Sequence, residues 1–223
     1  MKVAELVATD NRLLTILQRL GIRLGFGEAT VQELCNRYGL SADLFLEICN
    51  IYTLRCHEPQ TGTLGEHDIK GITTYLRASH KYYREQAFPA IHRKIHMLVE
   101  ELDSVSRRLI DKFYDDYDTE VNSHLRYEEE VVFPYIERVQ KKSEKCNGLY
   151  NIGKFEENHS NINEKLNDLK NIIIKYLPEE HATALRFEIL GDIYMLESDL
   201  YRHSLIENKL LIPLVEIMEK HNG

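Results

Sequence analysis

Two stretches, His124-Leu-Arg-Tyr-Glu128 and His203-Ser-Leu-Ile-Glu207, each set an imidazole and a carboxylate four residues apart. On a helix that spacing puts both side chains on one face, one turn apart. The two copies lie 79 residues apart, and 44 residues before each stands another histidine, His80 and His159. A lone histidine on an apolar helix face is usually a core residue, and a lone His-x-x-x-Glu is usually a surface pair. Six residues in one repeated register are hard to explain that way. They read as two helix pairs, each giving two histidines and one glutamate to a shared site. Imidazole binds iron well, and carboxylates can bridge two metals and offset their charge. Helix bundles hold di-iron and di-manganese centres with such inward-facing sets. The expected site is two non-haem iron ions, carboxylate-bridged and able to carry an oxo bridge, with manganese as the alternative ion. His80, His124, His159 and His203 would be terminal ligands; Glu128 and Glu207 would bridge.

One turn before two of these histidines stand acids, Glu120 and Asp199, again 79 apart. An acid there can accept the second ring N–H of a ligand histidine. His92 and His96 follow His80 by 12 and 16 residues on the same expected helix. At about 1.5 Å per residue they lie roughly 18 and 24 Å along it, too far to reach the same ions unless Pro89 turns the chain back. His57, His67, His181 and His221 fall near a linker or helix ends and read as surface residues. Tyr82, Tyr83, Tyr127 and Tyr201 flank ligands in sequence but face other directions on a helix, so no chemistry is assigned to them.

Positioning such a site takes long helices, and the chain favours them: 223 residues carry 11 glycines and 5 prolines. The fold class expected is all-α, an antiparallel four-helix bundle preceded by a small helical domain. The first bundle helix starts at His67, carries Ile69, Ile72, Tyr75, Leu76 and His80, and continues past Pro89 with a kink. The second runs from about Arg107 to Val139, the third from about Lys154 to Tyr176, and the fourth from about His181 to Lys220. Lys141 to Gly153 is the long middle loop. Residues 56–66, with Pro59, Gly62 and Gly65, read as a linker between a domain of residues 1–55 and a bundle of residues 67–223. In the small domain, Asp10 is placed to cap a helix carrying Leu13, Leu14, Leu17 and Leu20. Thr30 and Glu33 have the form of a capping box, Gly39 ends that helix, and Ser41 caps the next. The last two helices have helix-turn-helix spacing, but the second opens Ser41-Ala42-Asp43-Leu44 and has no basic residue before Arg55. A packing or dimerisation module is expected, not a DNA reader.

The formal net charge of −8 argues against nucleic acid as a partner. No apolar stretch approaches the roughly 20 residues of a membrane span, so no membrane partner is expected. The start, Met1 to Glu5, places an acid where a leader needs an apolar core, which suggests a cytoplasmic protein. Cys35, Cys49, Cys56 and Cys146 form no close C-x-x-C pair and are expected as free thiols; a zinc site from Cys49, Cys56 and His57 has poor spacing.

The motifs His80-Lys-Tyr-Tyr-Arg-Glu-Gln86, His124 to Pro134, Glu157-Asn-His159 and His203 to Pro213 together resemble the hemerythrin-like, histidine–histidine–glutamate cation-binding domain. The whole chain is similar to the repair-of-iron-centres di-iron proteins of bacterial nitrosative and oxidative stress. That resemblance implies binding or reaction with nitric oxide, oxygen or peroxide, and iron supply to damaged iron–sulfur proteins. The alternative is a di-iron sensor of oxygen, nitric oxide or iron that signals through its N-terminal helices. Partners would be small diatomic ligands or peroxide, iron–sulfur proteins and, in a homodimer, a second copy. The sequence departs from that family where a Cys-Cys pair usually follows the Gly-Ile turn: Gly21-Ile22 is followed by Arg23-Leu24-Gly25. Asn158 stands where many such domains have glutamate. Phe155 stands where oxygen-carrying hemerythrins have a fifth histidine, which favours small oxidants or nitric oxide over reversible oxygen carriage.

Overall fold

The computed structural model describes residues 1–100, 102–141, 152 and 162–222, with the backbone alone at 162–165 and 222. His159, Phe155, Glu157, Asn158 and Cys146 lie outside the described residues, as do most of the expected middle loop and the start of the expected third bundle helix. The chain is all-α, with short N-terminal helices followed by long ones: α1 (Val3–Thr9), α2 (Leu13–Arg19), α3 (Val31–Tyr38), α4 (Ala42–Thr53), α5 (Ile69–Tyr82), α6 (Phe88–Val99), α7 (Ser104–Tyr127), α8 (Phe133–Gln140), α9 (Ile162–Lys175), α10 (Thr183–Ile206) and α11 (Ile212–Asn222). No helix among the described residues is long and apolar enough to cross a membrane.

Local chemistry sets the helix ends. The Thr30 hydroxyl accepts from the Glu33 N–H at 3.3 Å and the Glu33 carboxylate accepts from the Thr30 N–H at 2.8 Å, which closes the expected capping box on α3. Gly39 ends α3 at φ +64°, a left-handed conformation open to glycine. Ser41 caps α4 through the Leu44 N–H at 3.2 Å, and Asp103 caps α7 through the N–H groups of Val105 and Ser106. Asp10 does not cap α2. Its carboxylate accepts from the Arg12 backbone N–H at 2.9 Å and pairs with the Arg12 guanidinium, a charged partner two residues away. Helix α1 has no capping side chain at Lys2; its start is held by the Val3 N–H donating to the Ala29 carbonyl at 3.0 Å.

Between α5 and α6, α7 and α8, and α10 and α11 the backbone passes through π-helical turns: Tyr83–Ala87, Glu128–Val132 and Glu207–Leu211. Each precedes an apolar residue and a proline, Phe88-Pro89, Phe133-Pro134 and Ile212-Pro213. Proline cannot donate to the fourth residue back and its ring clashes with that carbonyl. A wider turn ahead of it relieves the clash. The kink expected at Pro89 therefore takes the form of a π-turn.

The helices pack as two compact units. One comprises Met1–Ser79, Val132–Glu156 and Arg202–Gly223. Inside it, Arg19 is only 4% exposed. Its guanidinium donates to the Tyr52 hydroxyl at 2.8 Å and the Tyr75 hydroxyl at 3.2 Å, and Tyr75 donates to Tyr52 at 2.7 Å. The Arg202 guanidinium lies over the Tyr52 ring at 5.0 Å. These contacts tie α2 and α4 to α5 and to the end of α10. The thiols of Cys35 and Cys49 are pushed up by burial to about 11 and about 12. His57 faces Glu47 at 2.8 Å, so Cys49 and His57 stand as a protonated core thiol and a carboxylate-paired imidazole.

The other unit comprises His80–Val131 and Glu157–Tyr201. Four helical pieces line one apolar core, with Tyr83, Phe88, Ile91 and Ile95 from the first, Ile110, Tyr114, Tyr117 and Val121 from the second, Leu166 and Leu169 from α9, and Ile189 and Ile193 from α10. The connections from α6 to α7 and from α9 to α10 are short, which makes each of these two pairs antiparallel neighbours. Ion pairs of Lys94 with Asp192 at 2.8 Å and of Lys170 with Glu197 at 2.7 Å seal the flanks.

Candidate metal centre

Helix α5 delivers His80 in its last turn, and α7 delivers His124 with Glu128 at its C-terminal boundary. The His80 side chain is 2% exposed and Glu128 is fully buried. The two oxygens of Glu128 face different imidazoles: Oε2 lies 2.9 Å from His80 Nε2, and Oε1 lies 2.6 Å from His124 Nε2. The other repeat has the same local form. His203 Nε2 lies 3.0 Å from Oε1 of the fully buried Glu207, one helical turn on. His80, Glu128, His203 and Glu207 each offer one ligand atom, and these four atoms lie within 4.8 Å of one another.

Two carboxylates with no solvent exposure need a cation beside them, because burying an uncompensated charge costs several kcal/mol. Protons on the imidazole nitrogens can supply that charge. A bound metal ion would do the same from the same nitrogens and oxygens, and nitrogen with carboxylate oxygen is the donor set that iron, manganese and zinc accept. The residues present therefore fit a metal centre. The ions would supply Lewis acidity and, if iron or manganese, redox capacity. The chain's own part is to hold the carboxylates buried and to aim each Nε2 inward.

For His80 that aim has a visible cause. Its other ring nitrogen, Nδ1, lies 2.8 Å from Glu129 Oε1. A carboxylate at Nδ1 fixes the proton there and leaves the Nε2 lone pair for a metal. Spacing within one helix could not single out Glu129 from its neighbours Glu128 and Glu130, because the pairing depends on how α5 lies against the turn after α7. Glu120 and Asp199, the acids expected to orient His124 and His203, are both half-buried.

The six expected ligands thus divide in three. Four form the buried group, His124 joins it through Glu128, and His159 falls outside the described residues. His92 and His96 lie on α6 beside α7, facing Asp115 and Asp111. His67 and His221 are exposed beside Asp68 and Glu66. His181 Nε2 lies 2.8 Å from the Leu98 carbonyl oxygen and is half-buried.

Neither the curated proteins nor the solved structures contain a match to this chain. A model of the hemerythrin HHE cation binding domain matches residues 71–220, which takes in His80, both His-x-x-x-Glu pairs and all three π-turns. With that match covering more than half of the 223 residues, the chain belongs to the hemerythrin HHE cation-binding domain family.

Proposed function

We propose that the protein is a non-haem di-iron protein of oxidative and nitrosative stress. In this reading His80, His124, His159 and His203 are terminal ligands and Glu128 and Glu207 bridge two irons, with manganese the competing ion. The observation that carries it is Glu128, fully buried, turning one oxygen to each of two imidazoles. A carboxylate placed to bridge two imidazole-held ions has this disposition. The centre would bind or react with nitric oxide, oxygen or peroxide, and its irons would be available for repair of iron–sulfur proteins in the cytoplasm. Support for the repair role is the resemblance of the whole chain to repair-of-iron-centres proteins.

The test is metal content with ligand titration. Protein reconstituted anaerobically with ferrous iron should hold about two irons per chain. The Glu128→Ala/Glu207→Ala variant should lose nearly all of it and, with it, the optical response to nitric oxide. A double variant that keeps its iron rejects the assignment. Wild-type protein that takes up no iron, or a single zinc in its place, rejects the di-iron reading.

A second reading rests on the Arg19–Tyr52–Tyr75 contacts and on Arg202 over the Tyr52 ring. Tyr75 precedes His80 by five residues in α5, and Arg202 adjoins His203 in α10. A change in either ligand-bearing helix would be felt at Tyr52, so the centre could serve as a sensor read out by the N-terminal helices.

A further inference from the structure

Helix α10 is apolar on two sides. Its inward side buries Ile189, Ile193, Leu196 and Leu200. On its outward side Phe187, Tyr194 and Tyr201 recur every seven residues and are 73%, 51% and 57% exposed, with Met195 beside them at 72%. Ala184, Gly191 and Ser198 stand three residues before each aromatic and are exposed as well. Among the exposed residues of α10, Glu188 is the one that carries a charge. A surface helix ordinarily sets charged side chains opposite its core face, and a helix apolar all round is a buried one. Gly191 points the same way. Glycine inside a helix weakens it, yet a Cβ at Gly191 would meet no atom within 4 Å. No close approach by a described residue requires a glycine there.

We propose that this face of α10 joins two copies of the chain, the two helices lying antiparallel about a two-fold axis between Gly191 and Tyr194. That register sets Tyr194 against Gly191, Phe187 against Ser198 and Tyr201 against Ala184 of the second copy. Every aromatic then meets a small residue. Seven-residue spacing of knobs and holes is how two helices pack side by side, and a two-fold contact needs a self-complementary patch. A cleft of about 510 Å³ is lined by Tyr194, Glu197, Ser198 and Tyr201, where this register seats Phe187 of the second copy. On one flank the register brings Met195 to its own counterpart and Glu188 to Arg202, so opposite charges meet there. Glu188 also pairs with Lys94 at 3.3 Å and Arg202 lies over Tyr52, so this flank pairing serves register more than strength. At roughly 200 Å² for a large side chain, the four exposed ones present on the order of 500 Å² per chain. Two copies would bury about 1,000 Å² before the small residues and flanks are added, which approaches the ~1,200–2,000 Å² of stable interfaces. Apolar residues scattered singly over a surface need no partner; a repeat that alternates large with small in one register has a use only when another helix interlocks with it.

Sedimentation velocity of the full chain tests this. It should show a dimer at about 100 µM that dissociates on dilution, since an interface of this size allows a micromolar dissociation constant. Phe187→Glu/Tyr194→Glu should sediment as a monomer with unchanged helical content by circular dichroism. Gly191→Leu is the sharper variant, because it has open space in its own chain and adds apolar surface. Association through unspecific apolar contact would tighten in that variant. Interlocking loses the hole that receives Tyr194, so the dimer should weaken by about tenfold or more. A full chain that stays monomeric at that concentration overturns the proposal, whether the face is left bare or takes a different protein. So does a dimer that survives the double variant, which puts the contact elsewhere, and so does a dimer that Gly191→Leu leaves equal or tighter, which removes the stated register.

Discussion

Glu129 carries a consequence for metal binding that its half-exposed position hides. Its carboxylate holds the Nδ1 side of His80 at 2.8 Å, and losing such a partner commonly costs 10–100-fold in metal affinity. Glu129→Gln should therefore retain the fold and lower iron affinity by about that range, measured by competition with a chelator. Unchanged affinity would mean that His80 is oriented by packing alone. In the repeat, the residue 79 positions after Glu129 is Asn208, so the two halves do not place equal charge after their buried glutamates. That difference predicts irons of unequal affinity, with the stronger site lost first in Glu129→Gln. Much of the residue scale was legible from spacing, because His-x-x-x-Glu is a local pattern and its repetition at 79 residues marks a shared destination. Glu129 was not legible. Its role comes from two helices meeting, and nothing in the run Glu128-Glu129-Glu130 distinguishes the middle acid.

Three helices bend at one device, a π-turn followed by an apolar residue and proline, and two of these turns begin at the buried glutamates Glu128 and Glu207. The proline forbids a regular ladder across the preceding turn, and the widened turn sets where the glutamate points. Pro134→Ala removes that prohibition. An uninterrupted helix through Glu128–Val132 should then compete, with stability unchanged or raised by at most about 3 kcal/mol while iron affinity falls about tenfold or more. Thermal melts and iron titration of the same samples check both halves. Equal values in wild type and variant would show that packing, not proline, holds the π-turn. The sequence shows a helix interrupted at Pro89 but not the kind of interruption, since both a kink and a π-turn satisfy a missing N–H. Among the short helices, α3 and α4 were legible through Thr30, Gly39 and Ser41. Helix α1 was not, because its start depends on backbone pairing with Ala29 and not on a cap. Asp10 reads as a cap because a carboxylate before an apolar run often is one; it holds the Arg12 N–H and guanidinium together, and α2 begins beyond it at Leu13.

At the level of the whole chain, an all-α fold follows from scarce turn residues and long apolar periodicities. The grouping of α1–α4 with the first part of α5 in one compact unit does not. That grouping depends on side chains far apart in sequence, Arg19, Tyr52 and Tyr75, meeting through buried hydrogen bonds. The linker at residues 56–66 and the division it implies, 1–55 and 67–223, remain a proposal that limited proteolysis would test. The Arg19–Tyr52–Tyr75 network also decides between the two functional readings. If the centre is a sensor, nitric oxide added to the iron-loaded protein should change amide hydrogen exchange in α2 and α4, because both ligand-bearing helices lean on Tyr52. Tyr52→Phe removes the hydroxyl shared by Arg19 and Tyr75, at a cost of about 1–3 kcal/mol for the buried groups it leaves. It should leave iron content intact and erase the exchange response. Exchange in α2 and α4 that is the same with and without nitric oxide would leave the network a purely structural tie. A response that survives in Tyr52→Phe would mean that the signal reaches the N-terminal helices through another contact. Only a response present in wild type and absent in the variant makes Tyr52 the point of transmission, because both chains carry the same iron and differ there by one oxygen atom.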